Sequence, residues 1–160
     1  YLLYEAGEKF VDLSKEVEYL KNYLELEKIR HGERLQPTLT INGSTTGKKI
    51  APMLFLTFLE NSFKHGIAQE SEMGFISINI TIEGNELLFS ISNSKPKENK
   101  SNLVDGPGGI GLENVKKRLN LLYPSQHTIE TIETEKEYIV NLKLQLINEF
   151  KPEYHEMLNN

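Results

Sequence analysis

Residues 75–82 read FISINITI and residues 86–92 read ELLFSIS. Isoleucine at every second position, with Ser, Asn and Thr between, is the period-two pattern of a strand buried on one face and wet on the other. The intervening Gly84-Asn85 has the chemistry of a tight reversal, so the two segments predict an antiparallel hairpin. A half-buried hairpin cannot stand alone; something must cover its apolar face. TIETIET (128–134) and YIVNLKLQL (138–146) repeat the pattern around Glu135-Lys136-Glu137 and predict a second hairpin.

Helical spacings supply the cover. Phe10, Leu13, Val17, Leu20 and Leu24 recur every three or four residues, with Glu16, Glu18, Lys21 and Asn22 in the gaps. This predicts an amphipathic helix capped by Asp12 or Ser14 and running to about Glu33. The stripe serves core packing or a partner seam. Pro52 suits a first helical turn and Gly66 the residue just past an end, so APMLFLTFLENSFKH predicts a second helix. IGLENVKKRLNLLY (110–123) places Leu112, Val115, Leu119 and Leu122 on one face and stops at Pro124. Leu39–Ile41 is a short strand candidate, residues 94–109 form a long polar loop, and the tail from Asn148 is weakly patterned. The predicted order is helix, strand, helix, hairpin, loop, helix, hairpin. That is an α+β fold: a two-layer α/β sandwich with a mixed, mostly antiparallel sheet covered on one face by helices.

Composition narrows the chemistry. A net charge of -5, from 18 basic and 23 acidic residues with no basic stripe, argues against a nucleic-acid surface. The absence of cysteine rules out disulfides, thiolate metal sites and cysteine nucleophiles, and fits a cytosolic setting. No apolar run approaches the roughly 20 residues that span a bilayer, and YLLYEAGEKF lacks the features of a signal peptide. A chain that starts mid-pattern at Tyr1 without an initiator Met is expected to be a piece of something longer.

Two stretches carry chemistry. GPGGIGLENVKKRL (106–119) opens a helix directly from glycines, presenting bare N–H groups and a positive dipole end to an anion such as phosphate. Residues 106–111 match G-x-G-x-x-G literally, but a dinucleotide site needs a preceding strand in a parallel βαβ unit, and here a polar loop precedes. A phosphate-binding P-loop also fails, since no Gly-Lys-Ser/Thr follows. The plainer alternative is that these glycines serve only a turn and a helix cap. In LENSFKHGI (59–67), Thr57, Asn61, Lys64 and His65 fall along one helical stripe with Glu60 at its border. An asparagine oxygen is a hard ligand suited to Mg²⁺ shared with substrate phosphates, which Lys64 and His65 could meet as donors. Against this, Glu60 and Lys64 are also at the spacing of an ordinary i, i+4 ion pair, and Asn61 could satisfy nearby backbone.

LENSFKHGI and GGIGLENVKKRL, separated by a hairpin and a long loop, resemble the N box and glycine box of the GHKL ATPase superfamily. With VEYLKNYLELEKIRHGERL upstream, residues 10–146 resemble the LytS-like sensor histidine kinases. The resemblance implies three parts: residues 1–35 end the dimerisation and phosphoacceptor region, 36–147 form the GHKL ATP-binding catalytic domain, and 148–160 are a polar tail. It implies Asn61 as ligand to Mg²⁺, Glu60, Lys64 and His65 as catalytic groups with Lys64 and His65 toward the phosphates, and Gly108, Gly109, Ile110, Gly111 and Leu112 over the triphosphate of ATP. Residues 94–109 match the ATP lid.

Two departures stand out. Asn93 occupies the strand end where GHKL proteins usually carry an Asp followed by glycines to read the adenine amino group. Thr57 stands where hydrolytic relatives place a water-activating Glu, which favours a kinase.

The family passes the γ-phosphoryl of ATP to a histidine upstream of these segments. Neither His31, His127 nor His155 matches that acceptor, and Arg118 is expected to pair locally. Implied partners are a response regulator, often of LytTR type, and a second copy in a homodimer. The implied location is the cytoplasmic portion of a membrane-anchored bacterial sensor. The competing reading is a degenerate GHKL module kept as a docking scaffold; a serine kinase of anti-sigma type is a third.

Overall fold

The computed structural model describes residues 9–65, 73–95 and 109–148. The elements are β1 (Val11–Asp12), α1 (Leu13–His31), β2 (Leu35–Asn42), β3 (Lys48–Ile50), α2 (Leu54–His65), β4 (Gly74–Glu83), β5 (Glu86–Ser94), α3 (Gly109–Leu122), β6 (His127–Glu133), β7 (Glu137–Gln145) and β8 (Ile147–Asn148). The main sheet has the order β2-β4-β5-β7-β6. Both predicted hairpins are present, and Gly84 turns the first with φ of 60° between the paired Glu83 and Glu86.

Alternation in the strands decides which face is covered. Ile76, Ile78, Ile80, Leu87, Phe89, Ile91, Val140, Leu142 and Leu144 are all buried, and their sequence neighbours point to the opposite, more open face. Against them pack Leu13, Val17 and Leu20 of α1, Leu54, Phe55, Phe58 and Leu59 of α2, and Leu112, Val115 and Leu119 of α3. Phe55 and Phe58 sit on the Phe89 ring at centroid distances of 5.0 and 5.4 Å. Each such side chain contributes about 1.5–3 kcal/mol by burial, so this layer is where the fold is held.

Several local expectations are corrected. The strand expected at Leu39–Ile41 is the eight-residue β2, and it runs parallel to β4, reached through α2. Gly43, just beyond it, has φ of 101°, and a Cβ there would collide with the Ile82 carbonyl. Helix α1 starts at Leu13 rather than Phe10. It ends at His31 rather than Glu33 because Gly32, at φ of 60°, turns its N–H back to the Lys28 carbonyl. Asp12 makes no side-chain cap bond; its carboxylate faces Lys49 at 3.7 Å and Lys15 at 4.0 Å. Glu16, expected on the wet face, is buried. A small second sheet of β1, β3 and β8 brings Ile147 and Asn148 to Lys49 and Lys48. Strand β2 begins at Leu35, and α1 shares the hydrophobic core with the sheet. Most of the predicted lid, residues 96–108, and the tail 149–160 lie outside the described residues.

Candidate functional site

Helix α2 turns different side chains to different neighbours. Asn61 is 5% exposed and belongs to the side buried in the core. Glu60 and Lys64 are exposed and line a groove with Tyr23, Glu27, Arg30, His31 and Phe63, between α1 and α2. Glu60 and Asn61, adjacent in sequence, therefore face different environments, as a rotation of about 100° per residue requires. Glu27 organises the groove wall: its carboxylate meets His31 Nε2 at 3.1 Å and Arg30 at 3.7 Å, while the His31 ring stacks on Phe63. Thr57 spends its hydroxyl on the Met53 carbonyl at 2.9 Å. His65 closes α2, and its side chain lies outside the described residues.

Beneath Asn61 lies the end of β5. Asn93 takes the buried phase of the strand and is fully enclosed. Its Nδ2 donates to the Ser94 carbonyl at 2.9 Å, and its Oδ1 is buried with no hydrogen-bond partner among the described residues. Directly across the ladder is Tyr138 of β7. Burial pushes the Tyr138 hydroxyl above its usual range, the Asn61 amide beside it pulls the other way, and Glu133 adds a small upward push. Tyr138 thus stands beside Asn61 and across the ladder from Asn93, so that polar groups are buried within an otherwise apolar layer. Ser62, also enclosed, has a hydroxyl without a partner among the described residues. Buried polar atoms left unsatisfied cost free energy unless something else supplies the bond. Lys95 fixes this strand end, with its ammonium 2.7 Å from Glu133 and 3.0 Å from the Thr134 carbonyl.

The glycine-opened helix forms as predicted, with Gly109 its first residue. Gly111 lies within its first turn, and a Cβ there would meet open space. A glycine inside a helix costs about 1 kcal/mol relative to alanine, and here neither packing nor a left-handed φ demands it. Leu112 is 1% exposed, so its side chain belongs to the core and only its N–H can face an anion. Gly108 and the side chain of Ile110 lie outside the described residues. Tyr138 and Ser62 escaped the sequence reading. The first resembles any apolar strand residue, and the second is a small polar residue beside a more conspicuous one.

Similarity to known proteins follows the same outline. Residues 1–35 match the family model described as histidine kinase. The sensor protein LytS of Oceanobacillus iheyensis is 29% identical over 160 aligned residues, covering 89% of this chain. The chain is a homologue of the LytS-like sensor histidine kinases. The sensor histidine kinase BtsS of Escherichia coli K12 is 30% identical over 115 residues, covering 69% of the chain. These LytS-like relatives are far longer: the chain spans 26% and 19% of their respective lengths. In three dimensions it superimposes on the nucleotide-free catalytic domain of the histidine kinase ThkA. The TM-score is 0.59 at 13% identity, covering 85% of this chain and 93% of that one. The LytS-like chain therefore has the histidine kinase catalytic-domain fold. None of its described helices is long and apolar enough to cross a membrane.

Proposed function

We propose that this chain is the ATP-binding catalytic portion of a bacterial two-component sensor histidine kinase, which moves the γ-phosphoryl of Mg-ATP to a histidine on an upstream segment of the same protein. The single observation that carries the reading is the enclosed Oδ1 of Asn93, which has no hydrogen-bond partner among the described residues. Because its Nδ2 is already committed to the Ser94 carbonyl, the open atom is an acceptor. An acceptor in that place suits the 6-amino group of adenine and opposes the 6-oxo group of guanine. The residues present also fit a magnesium nucleotide: Asn61 would hold Mg²⁺ through its amide oxygen, and the bound ion would neutralise phosphate charge. The N–H groups opening α3, at Gly109, Gly111 and Leu112, would take the phosphate oxygens. Glu60, Lys64 and His65 keep their catalytic roles in this reading, with Lys64 and His65 toward the phosphates; Glu60 and Lys64 line the groove beside α1. Thr57, tied to backbone, stands at the position where hydrolytic relatives place a water-activating Glu, which suits a kinase rather than a hydrolase.

In this reading residues 1–35 end the phosphoacceptor and dimerisation region, 36–147 bind ATP, and the whole belongs to the cytoplasmic portion of a membrane-anchored homodimer. A response regulator, of LytTR type, receives the phosphoryl group; a structure of ThkA in complex with the response regulator TrrA is a precedent among its fold relatives. The competing scaffold reading rests on Asn93, which lacks the charge that would strengthen an adenine bond. Titration with a fluorescent ATP analogue, with and without Mg²⁺ and in competition with ATP and GTP, separates the two. Saturable, Mg²⁺-dependent binding displaced by ATP in preference to GTP is expected. A flat titration would leave only the scaffold.

A further inference from the structure

Helix α1 sends one carboxylate into the interior. Glu16 is 1% exposed, and its Oε1 accepts a hydrogen bond from the Met53 N–H at 3.1 Å. Met53, the residue immediately before α2, holds a φ of 65°, and α2 has no acidic residue in its own first turn. The N–H groups that open a helix lack partners within it, and negative charge is favoured there. A neighbouring helix therefore provides the anion that α2's own sequence omits. Arg118 of α3, half buried, faces the same carboxylate. Burial pushes Glu16 upward, while the Met53 N–H and Arg118 pull it back toward the charged form. Alongside, the Ala51 N–H donates to the Tyr123 hydroxyl at 2.9 Å, joining the approach to α2 with the end of α3.

Three helices thus meet at one buried acid. A Leu or Met would fill the same volume without the desolvation cost of a carboxylate, so packing alone does not explain it. A carboxylate at a helix start does what an apolar group cannot: its directional bond specifies where that helix begins. The opposite ends of the same two helices carry Asn61 and the glycine start of α3, and α2 and α3 are in contact. With a rise of about 1.5 Å per residue, a displacement at Met53 is carried along the rigid helix to Asn61.

We infer that Glu16 is a positioning residue for nucleotide binding: by holding the Met53 N–H, it sets α2 in the placement that brings Asn61 toward the glycine-opened start of α3. This rests on the nucleotide reading above. It also means that α1, at the side of the chain leading to the upstream segment, controls the site through one hydrogen bond.

The test compares the 160-residue chain with its Glu16→Met and Glu16→Gln variants. Each is measured by urea unfolding, by amide hydrogen exchange over residues 53–61, and by titration with a fluorescent ATP analogue in Mg²⁺. Glu16→Met is expected to unfold cooperatively, to exchange about tenfold faster over that segment and to bind about tenfold more weakly. Glu16→Gln, which keeps an oxygen for the Met53 N–H, is expected to return both to within about threefold of wild type. A folded Glu16→Met with unchanged exchange overturns the inference, as does faster exchange with unchanged affinity. Should Glu16→Met fail to fold, Glu16→Asp, which keeps the charge but falls short of Met53, must show both changes; wild-type values in it overturn the inference equally. A wild-type chain with no saturable nucleotide signal sinks the ATP reading and this positioning role together, while the exchange measurement still reports whether Glu16 holds α2.

Discussion

Two buried polar clusters lie under the same helices and are built in opposite ways. Around Glu16 the Met53 N–H bonds to Oε1 of the carboxylate, the Ala51 N–H to Tyr123, and Arg118 supplies the opposing charge. Around Asn93 the accounting is open, with Asn93 Oδ1 enclosed and without a hydrogen-bond partner among the described residues. Protein interiors tolerate few such atoms. On the proposed reading, the first cluster positions the scaffold and the second receives a group that arrives from outside.

Substitutions can break this contrast or sharpen it. The largest effect is expected from Asn61→Ala, which should reduce Mg²⁺-dependent ATP affinity by about 100-fold or more while leaving the fold intact, as removal of a metal ligand would. Calorimetry showing unchanged affinity would remove Asn61 from the site. Next, Asn93→Leu should weaken ATP binding about tenfold, as loss of a buried hydrogen bond does, with little change in urea midpoint because it also removes an unpartnered acceptor. A large loss of stability instead would mean the Asn93 cluster is closed like the other.

Tyr123→Phe is expected to do the reverse. It should cost about 1–2 kcal/mol of stability by stranding the Ala51 N–H, and leave nucleotide affinity near wild type. Tyr123 also carries a pH signature, since burial, opposed by the Ala51 N–H and Arg118, pushes its hydroxyl from 10.0 up to about 12. Between those values the unfolded chain has lost the proton and the folded chain retains it. Wild-type stability should therefore fall as pH rises through that window, and the fall should be shallower in Tyr123→Phe, where Tyr138, also raised by burial, still contributes. A parallel decline in both proteins would place the titration elsewhere. The smallest effect belongs to Gly111→Ala, expected to raise stability by about 0.5–1 kcal/mol through helix propensity while weakening nucleotide binding. Stability raised with affinity untouched would show that the glycine serves no ligand.

Much of the architecture was legible because it rests on short-range patterns. Alternating isoleucines marked β4, and Leu112, Val115 and Leu119 marked the buried side of α3. The glycine opening of α3 and the polar end of α2 were legible as a pair for the same reason: each motif is continuous in sequence. What stayed hidden depends on distant partners. Glu16 sits in sequence like any solvated helix glutamate, and only the arrival of Met53 and Arg118 makes burial of its charge tolerable. Tyr138 reads as core until the ladder sets it opposite Asn93.

By itself, then, the sequence determined the helices, the two hairpins and the two motifs, because side-chain periodicity and turn chemistry act over a few residues. Only the tertiary structure decided that β2 joins β4 in parallel, that Glu60 and Asn61 face different neighbours, and which buried polar atoms are left open. Those outcomes turn on which groups meet across long stretches of chain, and hydrogen bonding in a dry interior is settled by that meeting rather than by residue type.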